Sequence, residues 1–266
     1  MELRGLLAHF DWEAQCRLVE DNVGLAGAVL VTSRHTPRGT VARVDPAADG
    51  ENSGQVIESL LRWSLQLSRA AGAKAAQVWV GPGQGNVLRS LGLEMARPWW
   101  RMDRPMSERL RAPTPVAGYD LVDNSGISPG TWAEMHNRAF ADHWGFARRS
   151  EEELMQGKSP ALCLMAVATA TGEPAALTLC QIETYTQDSR PQPVGLVSSV
   201  GTLPEHRRRG LATWLVAEGL QRLRLAGARH ASLYVDGRSH TRAFDAYGKL
   251  GFQLAFETEV WEARFP

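Results

Sequence analysis

The sequence predicts a mixed α/β fold built from two similar domains in tandem. An internal repeat is the first of three observations that predict it, because AGAKAAQVWVG at Ala71 recurs as AGARHASLYVD at Ala226. Two shorter pairs keep the same order: DP at 45 with LP at 203, and LGLEM at 91 with LGFQL at 250. The second observation is the alternation of helical and strand patterns in both halves, and the third is a proline-rich stretch between them.

The second half has the pattern helix, strand, helix, strand. Residues 211–226 place apolar side chains three and four positions apart, which predicts a helix lying on a sheet, and Gly227 is a natural end for it. Residues 231–235 predict a short buried strand, residues 240–250 a second helix and residues 252–261 a closing strand.

The first half repeats this pattern. Residues 54–71 predict the corresponding helix from their apolar stripe. Residues 104–120 contain three prolines and no apolar periodicity, which is typical of a surface linker. We therefore predict one domain over residues 1–108 and another over residues 118–266, joined by a linker at 109–117.

The charge balance restricts the possible functions. The 266 residues include 29 basic and 29 acidic side chains, so the formal net charge is +0. A neutral chain argues against a broad nucleic-acid or anionic-membrane surface, and any basic site must be local. We expect no nucleic-acid partner and no membrane partner.

The cysteines and the apolar segments indicate a cytoplasmic protein. Cys16, Cys163 and Cys180 show no C-x-x-C spacing and no metal-ligand spacing with the histidines, so we expect free thiols in a reducing compartment and no metal. The longest apolar run, residues 23–31, is far below the roughly 20 residues of a membrane span. We expect a soluble cytoplasmic protein.

The stretch EHRRRGLA at 205–212 predicts an anion site. It lies between VGLVSSVGTLP at 194–204, which predicts a strand, and the helix at 211–226. Backbone N–H groups at the first turn of a helix point outward, and the helix dipole favours negative charge there. Gly210 has no Cβ, so a phosphate can approach the backbone closely. A solvated basic turn is the alternative, while the Walker and Rossmann glycine motifs are missing here.

These residues resemble the GCN5-related N-acetyltransferase (GNAT) family. RRRGLA at 207–212 is similar to the signature [Q/R]-x-x-G-x-[G/A], and AFDAYGKLGF at 243–252 is similar to the ending A-x-x-x-Y-x-x-L-G-F. The resemblance extends over residues 115–266. With NRAFADHWGF at 137–146, the tandem arrangement resembles the mycothiol synthase-like branch. It implies two GNAT-like domains, each with a mixed, mostly antiparallel twisted sheet flanked by helices.

By this resemblance the ligand is acetyl-CoA or a close acyl-CoA. Its pyrophosphate would bind the N–H groups of residues 208–213, and its pantetheine arm would pair as an added strand beside Thr202. Val200 and Gly201 would supply N–H groups near the thioester carbonyl. His240 either replaces a cofactor-contacting asparagine of the family or only caps its helix. The implied cofactor-binding residues are Val200, Gly201, Thr202, Arg207, Arg208, Arg209, Gly210, Leu211, Ala212, Thr213 and His240.

Acetyl transfer to an amine requires a neutral amine and a proton for the leaving thiolate. Tyr247 matches the family position that protonates the departing sulfur; the alternative is a tyrosine that only packs in the core. The resemblance therefore implies that Tyr247 is the general acid.

The general base is less well defined. Related two-domain enzymes carry a carboxylate on the strand before the loop, but residues 196–200 contain none. The candidates are Glu183, on the preceding strand, and Asp142 with His143. The segment with Asp142, His143 and Trp144 is also expected to line the acceptor site, although a structural helix-end role is the alternative for His143 and Trp144.

The first domain departs from the motif. ENSGQV at 51–56 aligns with 207–212, so a carboxylate replaces the arginine and the larger Val56 replaces alanine. Both changes oppose a diphosphate. GQGNVLRSLGL at 83–93 offers no tyrosine. We predict a degenerate copy that supports the fold.

The predicted function is acetyl transfer from acetyl-CoA to the amine of a small-molecule acceptor, carried out by the second domain of a monomer or homodimer. The alternative is a non-catalytic acyl-CoA-binding sensor or interaction module, which the missing strand carboxylate keeps open.

Overall fold

The computed structural model describes residues 11–50, 52–123, 127–183, 192–239 and 243–266. The chain divides into two compact units. The first comprises the residues up to Trp99 together with Glu257–Pro266, and the second comprises Trp100–Phe256. In the described residues, no helix has the length and apolar character needed to cross a membrane.

The first unit contains a five-stranded arrangement in the order β1-β2-β3-β4-β11. β3 and β4 are parallel, and the remaining described pairs are antiparallel. Its elements are α1 (Trp12–Gln15), β1 (Cys16–Glu20), β2 (Leu25–Thr36), β3 (Gly39–Ala48), α2 (Ser53–Ala70), β4 (Ala75–Val80), α3 (Gly85–Ser90), the start of β5 (Glu94–Pro105) and the end of β11 (Gln253–Arg264).

In the second unit the strand order is β5-β10-β9-β8-β7-β6. Only β9 and β10 are described as a parallel pair, while β6 to β9 form an antiparallel meander. The elements after β5 are β6 (Tyr119–Asp123), α4 (Pro129–Ala139), α5 (Glu151–Met155), a 3₁₀ turn (Pro160–Leu162), β7 (Cys163–Ala168), β8 (Pro174–Glu183), β9 (Val194–Thr202), a second 3₁₀ turn (Pro204–His206), α6 (Leu211–Leu225), β10 (His230–Asp236) and α7 (Ala243–Gly248).

The two long helices occur where the apolar stripes predict them. The stripe at 54–71 forms α2, and the stripe at 211–226 forms α6, with one face of each packed on its sheet. The second helix of the second half, predicted at 240–250, covers Ala243–Gly248 within the described residues and ends two residues before the predicted end. The apolar pattern therefore predicts where the long helices lie, whereas the residue at which the last helix ends depends on contacts with other parts of the chain.

Both faces of the second unit's sheet are covered. α6 packs on one face, where Val216 and Leu220 join Cys180 and Val197 in a buried cluster. α4 packs on the opposite face, where Trp132 joins a second cluster with strand residues of β7 and β8. Side chains alternate between the two faces of a strand, so neighbouring residues of β8 and β9 contribute to different clusters.

The closing strand of each repeat divides between the two units. Residues 259–264 of β11 pair with β4, so they belong to the first unit. The residues of β5 from Trp100 onward belong to the second unit, where β5 lies beside β10. The contacts thus separate the units at Trp99 and again at Glu257, whereas the sequence prediction used a single linker at 109–117. Pairing between distant segments causes this difference, because no local composition signal marks it.

Trp261 tests the contribution of β11 to the first unit. Its side chain is 2% exposed within that unit's core, and the ring lies against Arg89 and Gly85. Trp261→Ala should lower the free energy of unfolding by about 3–5 kcal/mol, since it leaves a large cavity. Urea denaturation followed by circular dichroism measures the change. Leu254→Ala, at a side chain 50% exposed on the same strand, is the control and should cost less than about 1 kcal/mol. Equal losses would contradict a core role for Trp261.

Candidate active site

The candidate site begins where two parallel strands separate. β9 and β10 pair from Val194 with His230 as far as Val197 with Leu233. β9 then continues to Thr202 and β10 to Asp236 outside this ladder. A strand edge that leaves its ladder presents backbone N–H and C=O groups to another partner. The residues of β9 after Val197 therefore form an edge to which an extended ligand can bind.

A β-bulge lies at the same point. Cys180 of β8 pairs with Val197, but Leu179 pairs with Ser199, so Ser198 is the extra residue. Its hydroxyl donates a hydrogen bond to the Leu179 carbonyl oxygen at 3.0 Å. A bulge bends its strand and increases the local twist, which helps to turn β9 away from β10.

The loop after β9 leads directly into the first turn of α6. Arg208 has φ 65°, and Gly210, the residue before α6, has φ 90°. Left-handed residues next to right-handed ones turn successive N–H groups toward one side and create an anion-binding concavity. A Cβ on Gly210 would meet only Val116, at 3.9 Å. The positive φ therefore selects glycine here more than crowding does.

The three arginines of the loop have different environments. Arg207 donates to the carbonyl oxygens of Thr202 and Ala139 and to both carboxylate oxygens of Asp142. Arg209 donates to the Glu205 carbonyl oxygen at 3.3 Å, and Arg208 is exposed. Arg207 is thus held by protein groups of β9, of the end of α4 and of the segment after it.

His206 attaches the loop to the start of β6. Its Nδ1 lies 2.9 Å from the hydroxyl oxygen of Tyr119, and the two rings meet edge to face at a centroid distance of 5.6 Å. Val116 lies beside Gly210 in the same region. No local sequence pattern predicts these contacts, because they join segments separated by 87 residues.

The segment after α4 packs against β9. A Cβ on Gly201 would come within 2.9 Å of both Ala139 Cβ and Phe140 Cε2, so the absence of a side chain lets the end of α4 approach the strand. The Phe140 ring also stacks on the His136 ring at a centroid distance of 4.6 Å and meets the His143 ring edge to face at a centroid distance of 5.9 Å. Gly201 therefore has a packing role in addition to any backbone contact with a ligand.

His143 and Trp144 lie in a stabilised loop. His143 Nδ1 donates to the Trp144 carbonyl oxygen at 3.1 Å. Further along, the Asn137 side chain donates to the Arg149 carbonyl oxygen and accepts from the Arg149 N–H, both at 2.9 Å. These bonds fix both ends of the segment that carries Asp142, His143 and Trp144.

Tyr247 lies in the core beside α6. It is 8% exposed, and its ring meets Phe252 edge to face at 6.3 Å. Burial raises the pKa of its phenol well above the usual value of about 10. The hydroxyl consequently remains protonated throughout the physiological pH range, as a proton donor must.

Glu183 lies away from the predicted thioester position. It ends β8 opposite Val194, six residues before Val200 in β9 and so about 20 Å from it along the strand. The structure therefore does not bring Glu183 together with Val200 and Gly201. Its side chain shares a face of the sheet with Leu196, because Leu196 pairs with Gln181, two residues before Glu183. His240 lies outside the described residues.

Two buried cysteines are poor nucleophiles, because the thiolate is the reactive form and burial raises the pKa of both thiols. Burial raises the pKa of Cys163 to about 11 and raises that of Cys180 further. All three cysteines, including Cys16, are free thiols. In the described part of the chain, no cluster of three or more histidine, cysteine or acidic side chains could hold a metal ion.

His136 is a buried titratable group next to the site. It is 6% exposed, and its Nδ1 has no hydrogen-bond partner among the described residues. Burial, assisted by the positive charges of Arg149 and Lys158, lowers its pKa to about 4. His136 is therefore neutral at physiological pH. No sequence motif indicates this histidine; its position one helical turn before Phe140 is the signal that could have predicted its contact with that ring.

Comparison with known proteins agrees with this geometry. Residues 131–252 match the profile of the acetyltransferase (GNAT) family. The match identifies a GNAT acetyltransferase domain over residues 131–252 of the second unit, and GNAT acetyltransferases use acetyl-CoA as cosubstrate. The resemblance inferred from the loop motif and the mixed α/β fold are thus confirmed.

The similarity extends beyond that domain. The chain is 28% identical over 249 residues to the mycothiol acetyltransferase of Thermobispora bispora, and the alignment covers 90% of this chain and 80% of the relative. A GCN5-related N-acetyltransferase from Sphaerobacter thermophilus has TM-score 0.79 at 21% identity, covering 99% of this chain and 85% of that chain. A tandem GNAT protein from the clavulanic acid biosynthesis pathway has TM-score 0.63 at 19% identity, and the alignment covers 94% of this chain and 83% of that chain. At these identities the solved structures show the fold alone.

The low pKa of His136 predicts a pH-dependent stability. The unfolded chain binds a proton here below about pH 6.5, whereas the folded protein binds it only near pH 4. The neutral His136 therefore contributes its full share to the free energy of unfolding above pH 6.5, and this free energy falls by on the order of 3 kcal/mol as the pH falls toward 4. Urea unfolding between these pH values should show this loss, and His136→Gln should reduce the slope. His35→Gln, at an exposed histidine, is the control and should keep the wild-type slope; an unchanged slope in His136→Gln would contradict the assignment.

Proposed function

We propose that the second unit transfers an acetyl group from acetyl-CoA to the amine of a small-molecule acceptor, with Tyr247 as the general acid. The observation that carries this proposal is the separation of β9 from β10 after Val197 and Leu233, followed by a loop that leads into α6. An open strand edge and an adjacent anion-binding turn match the two chemically distinct halves of a coenzyme A molecule, its amide-containing arm and its pyrophosphate.

In this proposal the pyrophosphate binds the backbone N–H groups of residues 208–213. The positive φ values of Arg208 and Gly210 direct the loop, and the dipole of α6 adds positive potential at its start. The pantetheine amides pair with β9 between Ser198 and Thr202. An N–H group of Val200 or Gly201 then stabilises the thioester oxyanion, since successive residues of a strand direct their N–H groups to opposite edges and β8 lies along one of them.

The chemical step requires a donor for the departing sulfur. The acceptor nitrogen attacks the thioester carbonyl carbon, a tetrahedral intermediate forms, and the C–S bond breaks as Tyr247 gives its proton to the sulfur. The support for this role is the match of Tyr247 to the tyrosine of the family ending; burial raises the pKa of its phenol, so it gives up its proton only to the strongly basic thiolate that forms as the C–S bond breaks. A base takes one proton from the acceptor ammonium before the attack, and the second proton, which the nitrogen loses as the amide forms, returns to the Tyr247 phenolate through a water molecule.

Glu183 is our candidate for that base. It cannot touch the carbonyl when the thioester lies near Val200, but its side chain emerges on the face of the sheet that also carries Leu196. Leu196 lies in the strand segment where related two-domain enzymes have a carboxylate. Because Glu183 lies about 20 Å along the strand from Val200, it accepts the proton in this proposal only through a chain of several water molecules.

Asp142, by contrast, is a poor base in this arrangement. Both of its carboxylate oxygens accept hydrogen bonds from Arg207, at 2.6 and 3.0 Å. A cation so close stabilises the carboxylate relative to its protonated form and weakens it as a proton acceptor. His143 and Trp144 remain our candidates for lining the acceptor site.

We propose that the first unit does not bind the cosubstrate. β3 and β4 pair only from Val41 to Val44, so the same separation exists there. Arg43 stacks on Trp79 at 4.2 Å and forms a two-point ion pair with Asp45. Arg43 pairs with Gln77 inside the ladder and Asp45 directly follows it, so these side chains lie beside the point where the two strands separate. Together with the carboxylate at Glu51 and the larger Val56 in the loop sequence, this supports a degenerate copy.

The acceptor class rests on the relatives. The curated relatives are named mycothiol acetyltransferases, which supports a small-molecule acceptor amine. The chain lacks a carboxylate between residues 196 and 200, so we do not extend the proposal to mycothiol synthesis itself. A non-catalytic acyl-CoA-binding module is the outcome if no acceptor amine is turned over.

Tyr247→Phe tests the acid. The substitution removes the hydroxyl and keeps the buried ring, so it should lower kcat by about 10²–10⁴-fold while the Kd for coenzyme A changes little. Release of free coenzyme A is measured with a thiol reagent in the presence of acetyl-CoA and a panel of small amines. Tyr234→Phe, at a tyrosine 52% exposed on β10, is the matched control and should retain activity. Equal activity of Tyr247→Phe and wild type would exclude the acid role; coenzyme A binding without turnover of any amine would favour the binding module.

Gly210→Val tests the cofactor loop. Gly210 precedes α6 and Gly227 follows it, and both have φ 90°, so valine at either position should cost at least about 1–2 kcal/mol in backbone strain. Coenzyme A should raise the Tm of wild type and of Gly227→Val, but not of Gly210→Val, since only the latter distorts the loop. Thermal unfolding with and without coenzyme A measures both effects. If Gly227→Val also abolished the shift, or if Gly210→Val kept it, the loop would not be the binding site.

A further inference from the structure

Arg207 joins three segments of the second unit. Its Nε donates to the Thr202 carbonyl oxygen at the end of β9, at 3.1 Å, and its Nη2 donates to the Ala139 carbonyl oxygen at the end of α4, at 3.2 Å. Nη1 and Nη2 donate to Asp142 at 2.6 and 3.0 Å. We call this set of contacts the Arg207–Asp142 clasp.

The clasp uses most of the donor capacity of the guanidinium group. Arginine has five N–H donors in a rigid plane, and these contacts employ four of them. The pair with Asp142 is bidentate, the geometry in which arginine and carboxylate bind each other best. The arginine side chain is 24% exposed, so solvent screens the pair less than it would screen a fully exposed one.

We propose that Arg207 is a positioning residue that couples the cofactor loop to the acceptor segment 139–144, and that it does not bind the pyrophosphate itself. This inference rests on the proposed function, because it assigns the loop to acetyl-CoA and the segment to the acceptor. Asp142 neutralises the charge of Arg207 and holds its plane toward α4. Order in the loop and order in the segment with His143 and Trp144 then depend on the same side chain.

Arg208 and Arg209 differ in this respect. Arg208 is exposed, and Arg209 makes only a 3.3 Å contact with a carbonyl oxygen of the same loop. Either can be truncated without separating the loop from α4. Arg208→Ala is therefore a matched control that removes the same charge from the same turn.

Hydrogen–deuterium exchange on the full chain tests the clasp without a known acceptor. The variants are Asp142→Ala, Arg207→Ala, the double variant and Arg208→Ala. Because hydrogen bonds to charged groups contribute substantially to local order, Asp142→Ala and Arg207→Ala should each increase the exchange of both segments, 139–147 and 203–210, by roughly tenfold. The double variant should exchange no faster than Arg207→Ala, since the two single changes break the same contact.

Titration with coenzyme A provides the second readout. A positioning role predicts that Asp142→Ala and Arg207→Ala raise the Kd by similar factors and that the double variant adds little. A direct ligand role predicts a much larger increase for Arg207→Ala than for Asp142→Ala, and that result would overturn the inference. It would also be overturned if exchange increased only in 203–210, or if Arg208→Ala had the same effect on both segments.

The two proposals fail separately. If wild type did not bind coenzyme A, the proposed function would fall, yet the exchange of the ligand-free variants would still show whether the clasp joins the two segments. If wild type bound coenzyme A while the exchange of 139–147 stayed unchanged in Arg207→Ala, the proposed coupling through the Arg207–Asp142 clasp would be wrong and the proposed cofactor site would remain supported.

Discussion

The point at which β9 stops pairing with β10 is the constraint on which the rest of the site depends. Beyond Val197 the backbone of β9 leaves its parallel neighbour, and the bulge at Ser198 turns it further. Buried backbone groups require partners, so such an edge is stable only beside solvent or beside a ligand with matching amides. α6 still covers the other part of the sheet through Val216 and Leu220, so the strands separate without opening the core.

The first unit has the same separation with different contents. Its parallel pairing ends at Val44, and Arg43, Asp45 and Trp79 place charged and aromatic side chains beside that point. The duplicated topology therefore separates a parallel pair twice, and we propose that the side chains beside each separation decide whether a ligand binds there. A duplicated fold can thus be retained for stability after one copy has changed its site.

Much of the fold and part of the site could be predicted from the sequence, because both rest on local patterns. The apolar stripes gave α2 and α6, and RRRGLA gave the turn before α6. The division of β5 and β11 between the two units, the register shift at Ser198 and the contact of Tyr119 with His206 could not be predicted. Each depends on pairing between segments far apart in the chain, for which a single sequence carries no periodic signal.

The arginine cluster shows where local charge misleads. Three adjacent arginines indicate an anion site, but Asp142, which is 65 residues away in sequence, neutralises Arg207. In the site that we propose, the affinity of this turn for a pyrophosphate therefore comes mainly from backbone N–H groups directed by the positive φ at Arg208 and Gly210, together with the helix dipole. Side-chain charge then attracts the ligand over a distance, and backbone conformation determines where it binds. The left-handed glycine consequently defines the site more closely than the charges around it.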